Sequence, residues 1–231
     1  MYTKNKTLFN LVNLQKVVGG NTMDEGLKNL IDKAENGDVE AMVMVGDCFN
    51  RGFHTEKDDV KAHEYYKMAA DKGNPGAAFM VSIGYLNGIG IRKNKSEAVK
   101  YMKIAADKEV SNAQYLLGAL YEANEVGILF QQQKAVYYLE KASKQGHAKA
   151  QLLLGDINLK NNGIHYSLEN GLFWYICAYM HGNNAKEESQ EAMNKLNKML
   201  SIGLPGGKER IDKIIKFIKV KYPLYIENPK N

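Results

Sequence analysis

The stretch KAHEYYKMAADKG, residues 61–73, decides the fold because related stretches return three times along the chain. These are EAVKYMKIAADKE at residues 97–109, KAVYYLEKASKQG at 134–146 and NGLFWYICAYMHG at 170–182. Ala62, Tyr65 and Ala69 illustrate the shared pattern, in which a small residue is followed by an aromatic residue and then by an alanine. Offsets of three and seven residues lie on one face of an α-helix. Each stretch is therefore predicted to form one amphipathic helix.

A second helix is predicted ahead of each of these stretches. Its marker is an alanine that recurs at spacings of 36, 36 and 37 residues, at Ala41, Ala77, Ala113 and Ala150. A valine or leucine lies four residues after each marker alanine, and a glycine or Ser82 lies one residue further on. Eight residues after the marker, the first three copies have an aromatic residue and the fourth has Asn158. These offsets again share a helix face, so each period contains a pair of helices.

Small and aromatic residues face each other in every predicted pair. Alanine or glycine lets two antiparallel backbones approach closely, and a ring from the partner helix fills the remaining space. We therefore interpret the aromatic pairs at residues 65–66 and 174–175 as core rather than as cofactor contacts. Gly73, Gly146 and Gly182 are predicted to end three of the second helices, because glycine adopts the left-handed conformation without steric cost. Glu109 stands at this position after residues 97–108, and we expect that turn to close in another way.

The pattern A-x-x-x-L-G-x-x-Y-x-x-G … A-x-x-Y-Y-x-x-A-A-x-x-G, spread over residues 41–182, resembles the Sel1-like repeat, a relative of the tetratricopeptide repeat. The resemblance implies an all-α protein, an α/α superhelical solenoid of about four helix-turn-helix repeats with capping helices. It also implies a non-enzymatic adaptor, in which the first helices line a concave groove for a peptide or a partner helix. Ser82, Asn158 and Glu109 are departures from the pattern.

Transferred by offset from the marker alanine, the resemblance implies a set of groove residues. They are Val43, Asp47, Asn50, Phe79, Ile83, Leu86, Tyr115, Ala119, Glu122, Leu152, Asp156 and Leu159. Phe79 and Tyr115 are expected to lie adjacent and to receive an apolar anchor from a protein partner. Three carboxylates, with no base among these residues, favour a lysine or arginine beside that anchor. In the alternative interpretation, the two rings pack between neighbouring repeats.

Four segments are expected along the chain. They are a tail or leader at residues 1–22, the solenoid at 23–200, a basic amphipathic helix at 207–222 and a tail at 223–231. The amphipathic helix carries isoleucines at helical spacing among lysines. A helix of this type covers the end of a repeat array, lies on a membrane surface or enters a partner's groove. We favour the cap, and the other two roles stay open.

Residues 1–20 end in Gly19–Gly20 after spaced apolar residues, and they resemble a double-glycine leader. Cleavage after Gly20 would make the chain an exported effector or a bacteriocin-associated factor, secreted by a peptidase-bearing exporter. The alternative is a short helix or disordered tail on a cytoplasmic protein. The N-terminal residue of the natural protein separates the two interpretations.

Charge argues against a nucleic-acid partner, and hydropathy argues against a membrane-spanning segment. The net charge of +5 comes from the two ends, with +3 within residues 1–20 and +4 within residues 208–221. The body between these ends is therefore slightly acidic, and no nucleic-acid partner is expected. No stretch approaches the roughly 20 apolar residues that a membrane span needs.

Patterns of catalytic or metal-binding residues are not found in the sequence. Cys48 and Cys177 are isolated, and the five histidines have no metal-ligand spacing. No GxSxG, GxxxxGKS/T or HExxH motif occurs, so we expect no enzyme activity, cofactor or metal. A β-lactam-binding or β-lactam-hydrolysing role, attributed to cysteine-rich relatives, is disfavoured because this chain has only two cysteines. Both thiols are expected to be buried.

Overall fold

The computed structural model describes residues 22–123, 131–160, 167–181, 186–201 and 206–221. Over these ranges the chain forms eleven α-helices and no strand, which confirms the predicted all-α fold. The helices are α1 (Thr22–Glu35), α2 (Val39–Arg51), α3 (Asp59–Asp71), α4 (Pro75–Asn87), α5 (Lys95–Asp107), α6 (Ser111–Ala123), α7 (Gln132–Lys144), α8 (Ala148–Leu159), α9 (Leu168–His181), α10 (Lys186–Ser201) and α11 (Gly207–Lys221). Gly19 and Gly20 lie outside the described residues, so cleavage there and a cytoplasmic location stay predictions.

The chain divides into two compact units, residues 1–108 and 109–231. In the first unit α2 pairs with α3 and α4 with α5, while α1 packs on α2 and α3 on α4. In the second unit α6 pairs with α7 and α8 with α9. There α7 packs on α8, α10 packs on α8 and α9, and α11 packs on α9 and α10. The predicted helix pairs are confirmed, and the assignment of residues 23–200 to one solenoid domain stays a prediction.

The alanines that marked the repeats in the sequence are core residues. In the second helix of each pair they are 0% exposed at Ala69, Ala105, Ala142 and Ala178. The marker alanines of the first helices are 3% exposed or less at Ala41, Ala77, Ala113 and Ala150. A methyl side chain at these positions lets the backbones of packed helices approach closely, and larger neighbours fill the space.

Aromatic pairs join the two helices of the first three repeats. The ring centroids are 6.0, 6.1 and 6.1 Å apart in the stacked pairs Phe49–Tyr65, Tyr85–Tyr101 and Tyr121–Tyr138. The fourth repeat has no such pair, because Asn158 replaces the first ring and donates its side-chain amide to the Leu154 carbonyl at 2.8 Å. Tyr66 and Tyr175, the second members of the two predicted core pairs, are each 4% exposed. The core interpretation is confirmed for these two residues, whereas Tyr65 and Trp174 are half-buried.

Left-handed turns follow the second helices of the first three repeats, and Gly182, at the end of the fourth, lies outside the described residues. Gly73 and Gly146 have φ angles of 93° and 81°. Glu109 takes the same conformation, with a φ of 61°, so the expectation of a differently closed turn was wrong. Its carboxylate accepts hydrogen bonds from Lys141 Nζ at 3.0 Å and Gln114 Nε2 at 3.1 Å. These bonds help to hold a conformation that costs a residue with a Cβ atom about 1–2 kcal/mol.

We expect Glu109→Gly to be more stable than Glu109→Ala by about 1 kcal/mol, because only alanine keeps the Cβ penalty of the left-handed conformation. Both variants lose the carboxylate, so the comparison isolates the backbone. Urea denaturation of the two proteins measures the difference. At the exposed position of Lys103 in α5, the order should be reversed: the Lys103→Gly protein should be less stable than the Lys103→Ala protein by about 1 kcal/mol. The same order at both positions would contradict the prediction.

The first and last described helices cover neighbouring helix pairs. Leu27 and Ala34 of α1 are 8% and 0% exposed, and this helix packs on α2. Ile211, Ile214 and Ile215 of α11 pack against a core cluster built by α8, α9 and α10. Both helices thus bury one apolar side, as capping helices do. None of the described helices is long and apolar enough to cross a membrane.

Candidate functional site

In each unit, half-buried residues on the first helices include nearly all of those predicted to line a groove; we term each set the open stripe of its unit. In the first unit it consists of Val43, Asp47, Asn50, Phe79, Ile83 and Leu86, and in the second of Tyr115, Ala119, Glu122, Asp156 and Leu159. Leu152 was predicted to belong to it but is only 5% exposed. It lies in the core cluster because α10 packs on α8, so its side chain is not offered to a partner.

Two carboxylates of the open stripe accept hydrogen bonds from the second helix of their own pair. The Tyr66 hydroxyl donates to Asp47 Oδ1 at 2.6 Å, and the Tyr175 hydroxyl donates to Asp156 Oδ1 at 2.6 Å. Burial and the hydrogen bond to the carboxylate raise the pKa of both tyrosine hydroxyls, so each stays a donor. Sequence reasoning missed these bonds, although both repeats have an aspartate and a tyrosine 19 residues apart.

Lysines from elsewhere in the second unit also reach the open stripe. Lys195 Nζ of α10 lies 2.6 and 2.7 Å from the two carboxylate oxygens of Asp156. Lys160 Nζ forms an ion pair with Glu122. The predicted groove residues themselves include no base, but in the second unit lysines outside that set pair with both of its carboxylates. Asp47 differs, since no lysine or arginine among the described residues forms an ion pair with it.

The two rings predicted to anchor a partner belong to different units. Phe79 lies in α4 of the first unit and is half-buried. Tyr115 lies in α6 of the second unit, where its ring stacks on His147 with centroids 4.6 Å apart. Tyr115 also packs against the core cluster that contains Leu139 and Leu154. Its packing within the second unit favours a structural role for this ring, while its adjacency to Phe79 stays a prediction.

His147 caps the N-terminus of α8. Its Nδ1 atom accepts the backbone N–H of Ala150 at 3.2 Å, a role that Asp38 and Asn74 play for α2 and α4. Its Nε2 atom lies 3.2 Å from Asn112 Oδ1. Only a neutral imidazole protonated at Nε2 both accepts at Nδ1 and donates to Asn112. Burial lowers the pKa of His147 below its ordinary value of 6.5, which is consistent with this neutral form.

We expect acidification to weaken the second unit through His147. Its pKa is lower in the folded than in the unfolded chain, so the unfolded chain takes up the proton first as the pH falls. The stability that depends on the neutral ring is complete above pH 6.5 and is lost as the pH falls through the folded pKa. His147→Asn keeps a capping oxygen, as Asn74 does, but removes the titration.

The test compares urea denaturation midpoints near pH 7.5 and pH 5.5, because an ordinary histidine gains its charge between these values. Loss of one helix cap is expected to lower the free energy of unfolding by about 1 kcal/mol. The wild-type protein should lose more stability between these values than His147→Asn does. The His63 pKa, which burial also lowers, contributes equally to both proteins. An identical pH dependence in the two proteins would show that His147 is not a titrating cap.

The two cysteine thiols are buried, as predicted. Cys48 and Cys177 are 1% and 2% exposed. Burial raises the pKa of Cys177 to about 12 and raises that of Cys48 as well, so neither thiol is activated as a nucleophile. In the part of the chain that the structure describes, no group of three or more His, Cys, Asp or Glu residues is placed to hold a metal ion.

The repeats found in the sequence correspond to a known family model. The model described as Sel1 repeat matches four consecutive segments, residues 39–74, 75–110, 111–147 and 148–183. Each segment contains one marker alanine and extends over one helix pair. Together they cover more than half of the chain. No curated protein sequence matches it.

Two solved structures are similar in fold. A protective antigen of uropathogenic Escherichia coli with an SLR fold has a TM-score of 0.69 and 21% identity, over 84% of this chain and 41% of the antigen. A Sel1 repeat protein from Oxalobacter formigenes has a TM-score of 0.60 and 22% identity, over 81% of this chain and 58% of that protein. The chain thus spans less than two thirds of either protein, and the likeness shows the fold alone.

Proposed function

Since the chain belongs to the Sel1 repeat family, we propose that it is an adaptor that holds a peptide or a partner helix on the open stripe of its first unit. Members of this family generally serve as non-catalytic scaffolds for protein interactions. The observation that carries the proposal is an apolar side of α4. Phe79, Ile83 and Leu86, spaced at four and three residues, are all half-buried and lie along one face of that helix.

The apolar character of the first unit's open stripe supports an apolar anchor on the partner. Val43 adds a fourth half-buried apolar side chain from the neighbouring first helix, α2. Isolated apolar residues are ordinary on protein surfaces, whereas several on one face favour an interaction site. An aromatic or aliphatic side chain from a partner would bury these groups without leaving a polar group unpaired.

Charge favours a basic residue beside that anchor. Asp47 is the acidic residue of the stripe in the first unit, and the Tyr66 hydroxyl holds one of its oxygens. A lysine or arginine of the partner would form an ion pair with this carboxylate. Glu122 and Asp156 do not contribute in the same way, because Lys160 and Lys195 already pair with them. The proposed partner is therefore an apolar segment with a base next to its anchor.

The experiment compares stripe variants of the whole chain as bait for affinity capture from the native cell. Replacing Phe79 and Ile83 together by serine should weaken capture of the principal partner by roughly 2 kcal/mol or more, the size of a binding hot spot. Leu86→Lys keeps Phe79 and Ile83 but places a positive charge opposite the partner's base. The repulsion between the two charges should also reduce capture.

The matched control is Met68→Ser with Ile104→Ser, which removes two apolar side chains that are 39% and 38% exposed on second helices. This control should bind as the wild type does. Melting curves identify variants that fail because they unfold. Normal capture by folded Phe79/Ile83 and Leu86 variants would place the binding surface elsewhere and overturn the proposal.

A further inference from the structure

The last helix has two distinct apolar regions. Ile211, Ile214 and Ile215 face inward and pack on the core cluster of the second unit. A second face of the helix holds positions 213, 216, 217 and 220, because side chains three, four and seven residues apart lie on the same side of an α-helix. We term this face the basic stripe of α11; it consists of Lys213, Lys216, Phe217 and Val220.

The basic stripe is more apolar than the outer face of a cap requires. Phe217 is 49% exposed, and Val220 at 77% has the greatest exposure of any large apolar side chain in the described part of the chain. Terminal repeat helices normally present a polar outer face, which keeps an array in solution. The inward isoleucines account for the capping role, while Phe217 and Val220 keep about half or more of their surface exposed to solvent.

Cations surround the exposed apolar side chains. Lys213 and Lys216 are exposed on the same face, and Lys213 Nζ lies 2.7 Å from Glu209 Oε1 one turn earlier. Both members of that pair are about three quarters exposed, at 74% and 73%, so water and salt weaken the bond. Residues 208–221 carry six basic and two acidic residues in all. This charge balance favours an anionic surface as the partner of the stripe.

The small area of the exposed apolar region argues against a second protein as the partner of the basic stripe. An aromatic side chain offers about 150–250 Å² for burial, so Phe217 and Val220 together expose on the order of 200 Å². A stable protein interface buries about 800 Å² on each partner. A small apolar patch with flanking lysines is instead sufficient for reversible binding to a lipid surface, where the apolar groups enter the interface and the lysines contact headgroups.

We propose that the basic stripe of α11 docks the protein on the surface of an anionic lipid bilayer. Phe217 and Val220 enter the interfacial region, and Lys213 and Lys216 pair with lipid phosphate groups.

The test is sedimentation of the full-length protein with vesicles of phosphatidylcholine, alone or mixed with phosphatidylglycerol. Binding is expected only to the anionic vesicles and should decline as salt screens the lysines. Replacing Phe217 and Val220 by serine should lower partitioning on the order of tenfold. Lys213→Gln and Lys216→Gln should each lower it about fivefold.

The control variant is Ile89→Ser with Ile91→Ser, which changes two apolar residues of the first unit that are 42% and 38% exposed. It should bind anionic vesicles as the wild type does. Equal binding to neutral vesicles, or binding that survives the Phe217/Val220 change, would overturn the proposal. So would a folded protein that binds neither vesicle type, a result that would favour an acidic protein partner for the stripe instead.

Discussion

Replacing Gly90 by alanine is expected to destabilise the first unit by roughly 3 kcal/mol or more. Gly90 has a φ of 69°, and a Cβ atom built there would lie 1.9 Å from the backbone carbonyl oxygen of Asp59. The obstacle is backbone in the first turn of α3, so no side-chain rotation relieves it. The loop that contains Gly90 must move away from α3, and urea denaturation would measure the cost.

Gly73→Ala is the matched control for this prediction. Gly73 also has a left-handed backbone, with a φ of 93°, but a Cβ atom there would meet nothing within 4 Å. The substitution should cost only the conformational penalty of about 1 kcal/mol. The difference between the two variants measures the close approach of the loop to α3. Equal losses would show that the loop accommodates the methyl group.

Gly46→Ser is expected to lower stability by about 2–4 kcal/mol through a clash inside the first helix pair. A Cβ atom at Gly46 would lie 2.7 Å from Cε1 and 2.8 Å from Cδ1 of Tyr66. That ring is buried, and its hydroxyl is held by Asp47, so it cannot swing away freely. Thermal or urea unfolding of the single variant would measure the loss.

The second helix pair contains the natural compensation for this change. There the equivalent of Gly46 is Ser82, which is fully buried, and the equivalent of Tyr66 is Met102. Adding Tyr66→Met to Gly46→Ser should therefore recover stability, with a favourable coupling of about 1 kcal/mol or more between the two sites. The flexible thioether fills space around the serine more easily than a rigid ring does. Strict additivity of the two changes would contradict this account of the close contact.

The sequence by itself determined the repeat, the helix pairs and most of their core. Small residues and rings recur at offsets set by the helical period, so a marker such as Ala105 and a stacked ring such as Tyr101 could be assigned without coordinates. The groove positions came from the family resemblance, transferred with the same offsets, and their role in binding stays a prediction. Leu152 lies in the core instead, because its burial depends on α10, an element that does not repeat the pattern.

Only the tertiary structure decided which partners the polar side chains have. Lys195 lies 39 positions along the chain from Asp156, and no periodic offset connects the two. The left-handed conformation of Glu109 and the cap made by His147 were equally unpredictable, since each uses a residue type that rarely serves in that role. The helical period is a local property that sequence alone reveals. A long side chain bonds to polar groups on the helix beside it. Which groups lie within its reach is decided only when the helices pack.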